Sequence, residues 1–299
     1  MDQGRRDVGG GLLTAVAALL FGAIVTLGRS VAVRDVPVSS LLAVRFGTAA
    51  AILALILVVR RGSLRPARGE GWRVVLLGAV GYAVESAFFF LALGRGTAAT
   101  VTLLFYTYPV WVALLSAVVG MGVPGALVGG SLVAAVAGSG LVVASSGGLD
   151  ITSPGIVFAL ASAVTISFFL IGLETLVTRT PSLASSMWIA LSASAAHATF
   201  AVVSGTGRLL HAEELLPVLG MGVLTSGAFL LLFLGVRRLG AVRASIISSL
   251  EPVAAAALAL AFLGETLRLG VVGGGALILA GAVAAALARG VREPEDALP

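Results

Sequence analysis

SSLEPVAAAALALAFLGETLRLGVVGGGALILAGAVAAAL, residues Ser248–Leu287, holds two long apolar runs divided by one short turn carrying Glu265 and Arg268. Apart from Glu251, no other charge stands in it. A bilayer core takes about 20 apolar residues per helical crossing. Each run is therefore a predicted membrane span, and the turn between them is a crossing point at the membrane surface.

The same reading extends to the rest of the chain. With charges, prolines and glycines taken as punctuation, ten helices are predicted, at 11–33, 38–59, 73–94, 97–119, 124–145, 154–178, 182–204, 214–236, 241–263 and 267–288. Composition agrees: 59% of the 299 residues are apolar, 11% are charged, and the mean hydropathy is +1.10. A soluble domain keeps about a quarter of its residues charged to cover its surface. The apolar run that follows MDQGRRDVGGG lacks a small-residue cleavage pattern and reads as a retained span, not a signal peptide.

All 19 basic residues are arginine, and the formal net charge is +5. A basic excess can mark a nucleic-acid binder, but these arginines cluster beside apolar segments, as topology signals do. An N-terminus on the cytoplasmic side puts Arg5, Arg6, Arg60, Arg61, Arg65, Arg68, Arg73, Arg179, Arg237, Arg238, Arg243, Arg289 and Arg292 inside. Arg34, Arg95, Arg208 and Arg268 are left outside. The expected orientation has both termini in the cytoplasm.

Laid over itself, the chain divides into two five-helix repeats, 1–148 and 149–299. At an offset of 144 residues Gly28 meets Gly172, Pro37 meets Pro181 and Gly78 meets Gly222. After the third span the offset slips to 143, where Pro109 meets Pro252, Gly130 meets Gly273 and Gly138 meets Gly281. Proline is scarce, so its two matches in register carry most of the weight. Five spans is an odd number, so the second repeat enters the membrane from the opposite side. Inverted repeats of this kind place a site near the midplane at their interface, and rocking about it gives alternating access.

Several chemistries are excluded. There is no cysteine, hence no disulfide or thiolate metal site. No HExxH, GxSxG or paired histidines suggest an enzyme or a metal site, and no Walker A motif supplies nucleotide binding. No motif calls for a cofactor. The expected partners are a small-molecule substrate and the lipid bilayer. The fifth and tenth spans, with Gly129, Gly130, Gly273, Gly274 and Gly275, suit close packing with each other or with a partner, as in a homo-oligomer.

Ser248–Leu287, with Glu251-Pro252, Gly264-Glu265 and the glycine-rich tenth span, resembles the C-terminal signature of EamA-like transporters in the drug/metabolite transporter superfamily. Arg45, eight residues after Pro37, fits the same pattern. The resemblance implies an exporter of metabolites, often amino acids, in a bacterial inner membrane. The first repeat departs from it, with Met121-Gly122 where the second has Gly264-Glu265, and Tyr108 where it has Glu251. An exporter of toxic compounds with a loose aromatic pocket is the neighbouring reading. A non-transporting membrane scaffold is the reading from another class.

Ionisable groups inside spans cost about 2.5–3.5 kcal/mol on insertion scales, so each needs a cavity or a partner. Those here are Arg45, Glu85, Glu174, His197 and Glu251. Gly81, Tyr82, Glu85 and Phe89 share one helical face; the bland alternative is a structural Glu85–Arg45 pair. Ser245, Ser248, Ser249 and Pro252 lie at i, i+3, i+4 and i+7, with Thr102, Phe105, Tyr106 and Pro109 at the matching positions of the first repeat. Proline removes a backbone donor and frees a carbonyl one turn back. Two bent, cavity-lining helices are expected. The expected substrate-binding set is Arg45, Tyr82, Glu85, Phe89, Thr102, Phe105, Tyr106, His197, Ser245, Ser248 and Ser249. Glu251 stands one residue off the serine face, with a structural or a proton-coupling role both open. Glu174 and Arg29, near span ends, are expected to reach water, Trp188 to anchor at the headgroups, and Glu265 with Arg268 to form a loop charge pair.

Overall fold

A computed structural model describes residues 2–32, 36–96, 98–146, 151–263 and 269–288. Arg34, Gly264, Glu265, Arg268, Arg289 and Arg292 lie outside the described residues. Among the described residues the chain is helical, and the one extended pairing is an isolated bridge between Gly96 and Ile151. The helices are α1 Asp2–Ala32, α2 Val38–Val59, α3 Gly71–Leu76, α4 Ala83–Leu93, α5 Ala98–Phe105, α6 Tyr108–Val118, α7 Ala126–Ser146 and α8 Ser153–Leu176. They continue with α9 Ser182–Val203, α10 Ala212–Leu239, α11 Ala241–Ser248, α12 Glu251–Leu263 and α13 Leu269–Leu287. A π-helical turn, Leu77–Tyr82, joins α3 to α4 into one span. Eight stretches are long and apolar enough to cross a bilayer, Ala126–Val142 is a shorter apolar helix, and the expected ninth span is α11 followed by α12. The protein is a multi-pass membrane protein, and its outer surface is apolar, with Val118, Val202 and Val203 each 81% exposed.

The termini follow local chemistry. Pro37 and Pro181 stand at the N-caps of α2 and α9, where the missing N–H costs nothing. The Thr152 hydroxyl accepts from the Gly155 N–H at the start of α8. At α10 the Glu214 carboxylate reaches back to the His211 N–H at 2.8 Å, and Gly240 (φ +81°) ends the helix.

Helix bounds reproduce the two repeats. Val38–Val59 and Ser182–Val203 stand 144 residues apart at both ends, and Ala98–Phe105 and Ala241–Ser248 stand 143 apart. Contacts across the repeats are reciprocal as well. A Cβ on Gly78 would lie 2.5 Å from the Ile189 carbonyl oxygen, and one on Gly222 would lie 2.9 Å from that of Arg45, the repeat partner of Ile189. Likewise Gly138 closes on the Gly274 carbonyl, and Gly281 on that of Ser131. The second set follows the shorter offset, so the first repeat holds one extra residue after Gly78. The π turn Leu77–Tyr82 lies at that place, and a π turn is an α-helix that has taken in one residue.

Partner helices run antiparallel, which makes the repeats inverted. The Trp188 indole near the start of α9 donates to the Leu64 carbonyl just past the end of α2, at 2.6 Å. At the other end the Arg208 N–H, just past α9, donates to Ser40 near the start of α2 at 3.1 Å. The broadest interfaces are α1 on α10, α7 on α13 and α2 on α9, each joining one repeat to the other. The glycine-rich fifth and tenth spans thus pack on each other.

Candidate functional site

Both helices expected to bend are broken at equivalent places. α5 ends at Phe105 and α6 resumes at Tyr108; α11 ends at Ser248 and α12 resumes at Glu251. Pro109 and Pro252 are each the second residue of the resumed helix, a place that needs no proline N–H. Looser turns bridge the gaps, from the Thr107 N–H to the Leu104 carbonyl at 3.3 Å and from the Ser249 N–H to the Ile246 carbonyl at 3.2 Å.

Side chains satisfy the backbone freed there. The Tyr108 hydroxyl donates to the Ser245 carbonyl at 3.2 Å, and the Ser249 hydroxyl approaches the same carbonyl at 3.4 Å. Ser167 on α8 donates to the Tyr108 carbonyl at 3.1 Å. The Tyr106 hydroxyl meets the Glu251 carboxyl, and Tyr108 meets the Ser248 side chain. Ser245 and Ser249 are fully buried and Ser248 nearly so. The serine face therefore closes the break, with Tyr108, Tyr106 and Glu251 arrayed beside it.

Tyr82, the last residue of the π turn, sits inside a ring of Phe46, Phe169 and Phe229, with edge-on centroid distances of 5.5, 5.2 and 4.7 Å. Edge-to-face packing satisfies the ring quadrupoles and holds the cluster in one geometry. His197 on α9 stacks on Phe46 at 5.9 Å and meets the Ser86 hydroxyl through Nε2 at 3.1 Å. That hydroxyl also lies 2.9 Å from the Tyr82 carbonyl and 3.1 Å from the Ala83 carbonyl.

Arg45 and Glu85 are both buried, at 7% and 6% exposure, yet they do not pair. The Arg45 Nε donates to the Thr225 hydroxyl at 2.8 Å, and its guanidinium lies 5.1 Å from the Phe46 ring centroid. Among the described residues no carboxylate comes within 4.0 Å of it. Glu85 instead accepts from Ser162 on α8 at 3.1 Å. Arg45, Tyr82, Glu85 and Glu251 nonetheless act on one another electrostatically across the interior. Arg45 and Glu85 are thus each bonded to a neutral hydroxyl and not to each other.

The structure thus brings Arg45, Tyr82, Glu85 and His197 together with Tyr106, Ser245, Ser248 and Ser249 at the repeat interface. Phe105 touches Tyr106 and Tyr108, with centroids at 5.6 and 5.2 Å, and Phe89 packs on Phe105 at 5.1 Å, one layer further out. Thr102 contributes its carbonyl to the Tyr106 N–H and lies farther along α5. Glu174, expected in water, is half-buried and accepts from the Ala241 N–H at the start of α11 at 2.6 Å.

The sequence reading missed Ser162 and Ser86, polar residues in helices where serine is common, and it missed Glu70. The Glu70 carboxylate, 1% exposed, takes the Thr178, Arg179 and Thr180 N–H groups at 3.1, 2.8 and 2.7 Å and the Thr180 hydroxyl at 2.6 Å. Burial pushes its carboxyl up, but the Thr180 hydroxyl and the three N–H groups outweigh that and hold it at about 2. Arg237 donates to the Thr178 and Thr180 carbonyls of the same loop. This clasp ties the loop before α3 to the α8–α9 loop, one repeat to the other. The only signal in the sequence was one acidic residue in an arginine-rich loop.

The sequence profile of the EamA-like transporter family matches the chain twice, over residues 9–144 and 153–287. No curated protein matches it significantly. A crystal structure described only as that of a protein shares the fold, with a TM-score of 0.79 and 23% identity, over 92% of this chain and 96% of its own.

Proposed function

Because the chain belongs to the EamA-like transporter family, we propose that it is a secondary transporter exporting small metabolites, amino acids first among them, from a bacterial cell. It works by alternating access about the interior site, as ten spans in the inner membrane with both termini cytoplasmic. The observation that carries this reading is a buried guanidinium and a buried carboxylate at the repeat interface, each bonded to a hydroxyl and not to the other. A zwitterion supplies what both lack, a carboxylate for Arg45 and an ammonium for Glu85. The Tyr82, Phe46, Phe169 and Phe229 rings cover its apolar part. Because Arg45 and Glu85 are bonded to hydroxyls and not to each other, a ligand can meet both without displacing an ion pair.

Two repeats with antiparallel partner helices suit the cycle. Exchanging the conformations of the two halves moves the opening from one face to the other, with the site fixed between them. In the structure the Glu70 clasp and the Arg208–Glu214 pair, with nitrogen–oxygen distances of 2.7 and 2.6 Å, hold loops at opposite ends. The site residues between them are buried.

Proteoliposomes preloaded with a panel of labelled amino acids test the proposal. At least one should leave faster than from protein-free liposomes. Arg45→Gln should slow that efflux by about tenfold, the loss of one charge-assisted contact. Leu114→Ala, on a side chain 53% exposed toward lipid, should leave it unchanged. Efflux of lipophilic cations alone would replace the reading with a toxic-compound exporter, and no efflux of either class would favour a scaffold.

A further inference from the structure

Among the described residues the site gathers one guanidinium, that of Arg45, and two carboxyl groups, those of Glu85 and Glu251. A zwitterion bound as proposed above satisfies Arg45 and Glu85 and leaves Glu251 over. Glu251 opens α12 at the broken helix, beside Tyr106 and Tyr108, and it is half-buried where Glu85 is fully buried. Its own helix dipole does not balance it. Each break presents the C-terminus of one helix and the N-terminus of the next, so the two half-charges oppose one another. Among the described residues no arginine or histidine nitrogen lies within 4.0 Å of Glu251. Arg45, more than nine-tenths buried and bonded through Nε to Thr225, faces this same space. Among the described residues Glu85 shares this space, with the hydroxyls of Tyr82, Tyr106, Tyr108 and Ser248 nearest to Glu251.

We propose that Glu251, with the Tyr106 and Tyr108 hydroxyls, is a second subsite that takes a positive charge when the site is loaded. The inference rests on the amino-acid reading above and deepens it to a substrate class. The cargo is either a diamino acid, whose side-chain ammonium reaches Glu251 while its α-amino group meets Glu85, or a monoamino acid carried together with one proton on Glu251. In both cases the loaded centre is neutral in sum, which a low-dielectric interior requires.

The test compares Glu251→Gln with the unaltered protein in two assays. Binding of ornithine and of serine is measured by calorimetry in detergent, and proton movement accompanying serine efflux is followed with a pH dye trapped in proteoliposomes. If the second ammonium is the source, Glu251→Gln weakens ornithine about 30-fold, as for a buried charge contact, and leaves serine within about twofold. If a proton is the source, serine binding persists while the dye signal that accompanies its efflux is lost. Glu251→Asp, which keeps the charge, should retain the affected function in part. Equal weakening of both ligands by Glu251→Gln, or an unchanged ratio together with an unchanged dye signal, overturns the subsite. Failure of the unaltered protein to bind either amino acid would overturn the amino-acid reading and this inference with it.

Discussion

Glu70→Gln is the sharpest probe of how the two repeats are joined. The carboxylate accepts three backbone N–H groups and the Thr180 hydroxyl, with Thr178 adding its hydroxyl at 3.3 Å. Glutamine keeps one oxygen, but its amide presents hydrogens to donors that already need an acceptor. The carboxyl is held at about 2, down from 4.5, and at about 1.4 kcal/mol per unit this difference amounts to about 3 kcal/mol of folding stability. The sign follows from the lowered value. The stabilisation is fully present above pH 4.5 and is lost as the pH falls toward 2. At neutral pH the variant should melt in detergent roughly 6 °C below the parent. On acidification the parent should fall toward the variant, with the gap closing between pH 4.5 and 2. An unchanged melting temperature at pH 7, or a gap that stays constant down to pH 3, would refute the clasp.

Deleting Val80, 52% exposed within the π turn, should give an unbroken α-helix like α10 and leave downstream contacts in register. The variant should fold and melt within about 3 °C of the parent, given how little buried contact is lost; failure to fold would show that the extra residue is absorbed elsewhere. Cysteines at Gly62 and Gly205, which follow α2 and α9 at opposite ends of an antiparallel pair, should react with an impermeant reagent from opposite faces, Gly62 from the cytoplasmic one. Reaction of both from one face would sink the inverted topology.

The features legible in the sequence were those with a backbone cause. Pro37, Pro181, Pro109 and Pro252 restrict the chain locally, so their register announced two helix starts and two helix breaks before any contact was known. Gly78 marked the close approach of the third span to α9, and Gly222 that of α10 to α2, because nothing larger fits at either place. Glu85 was visible as a charge in an apolar run. Its partner was not, since Ser162 lies 77 residues away on a helix with several serines and nothing local distinguishes it. Arg45 invited pairing with the nearest opposite charge. The hydroxyl of Thr225, 180 residues away, holds it instead, because the Gly222 contact brings that turn of α10 against α2. The π turn left only a one-residue slip in the repeat offset, which states that an insertion exists but not how the helix accommodates it.

The asymmetry of the interior is as informative as the symmetry of the backbone. Arg45 and Ile189 occupy equivalent places, shown by the reciprocal glycine contacts, yet one is charged and the other is not. Glu251 and Tyr108 each open the resumed half of a broken helix. With the extra residue absorbed in the π turn, Glu85 falls opposite Ala228. Arg45, Glu85 and Glu251 therefore each stand where the other repeat has a neutral residue. An inverted pair of identical backbones would make the two facing states equal in energy by symmetry, and only side chains could then bias one over the other. A few kcal/mol suffices to populate one state almost alone. On the alternating-access reading proposed above, these three residues, together with the π turn of the first repeat, break that equality. Replacing Arg45 or Glu251 should consequently shift the balance between the facing states as well as the affinity for cargo.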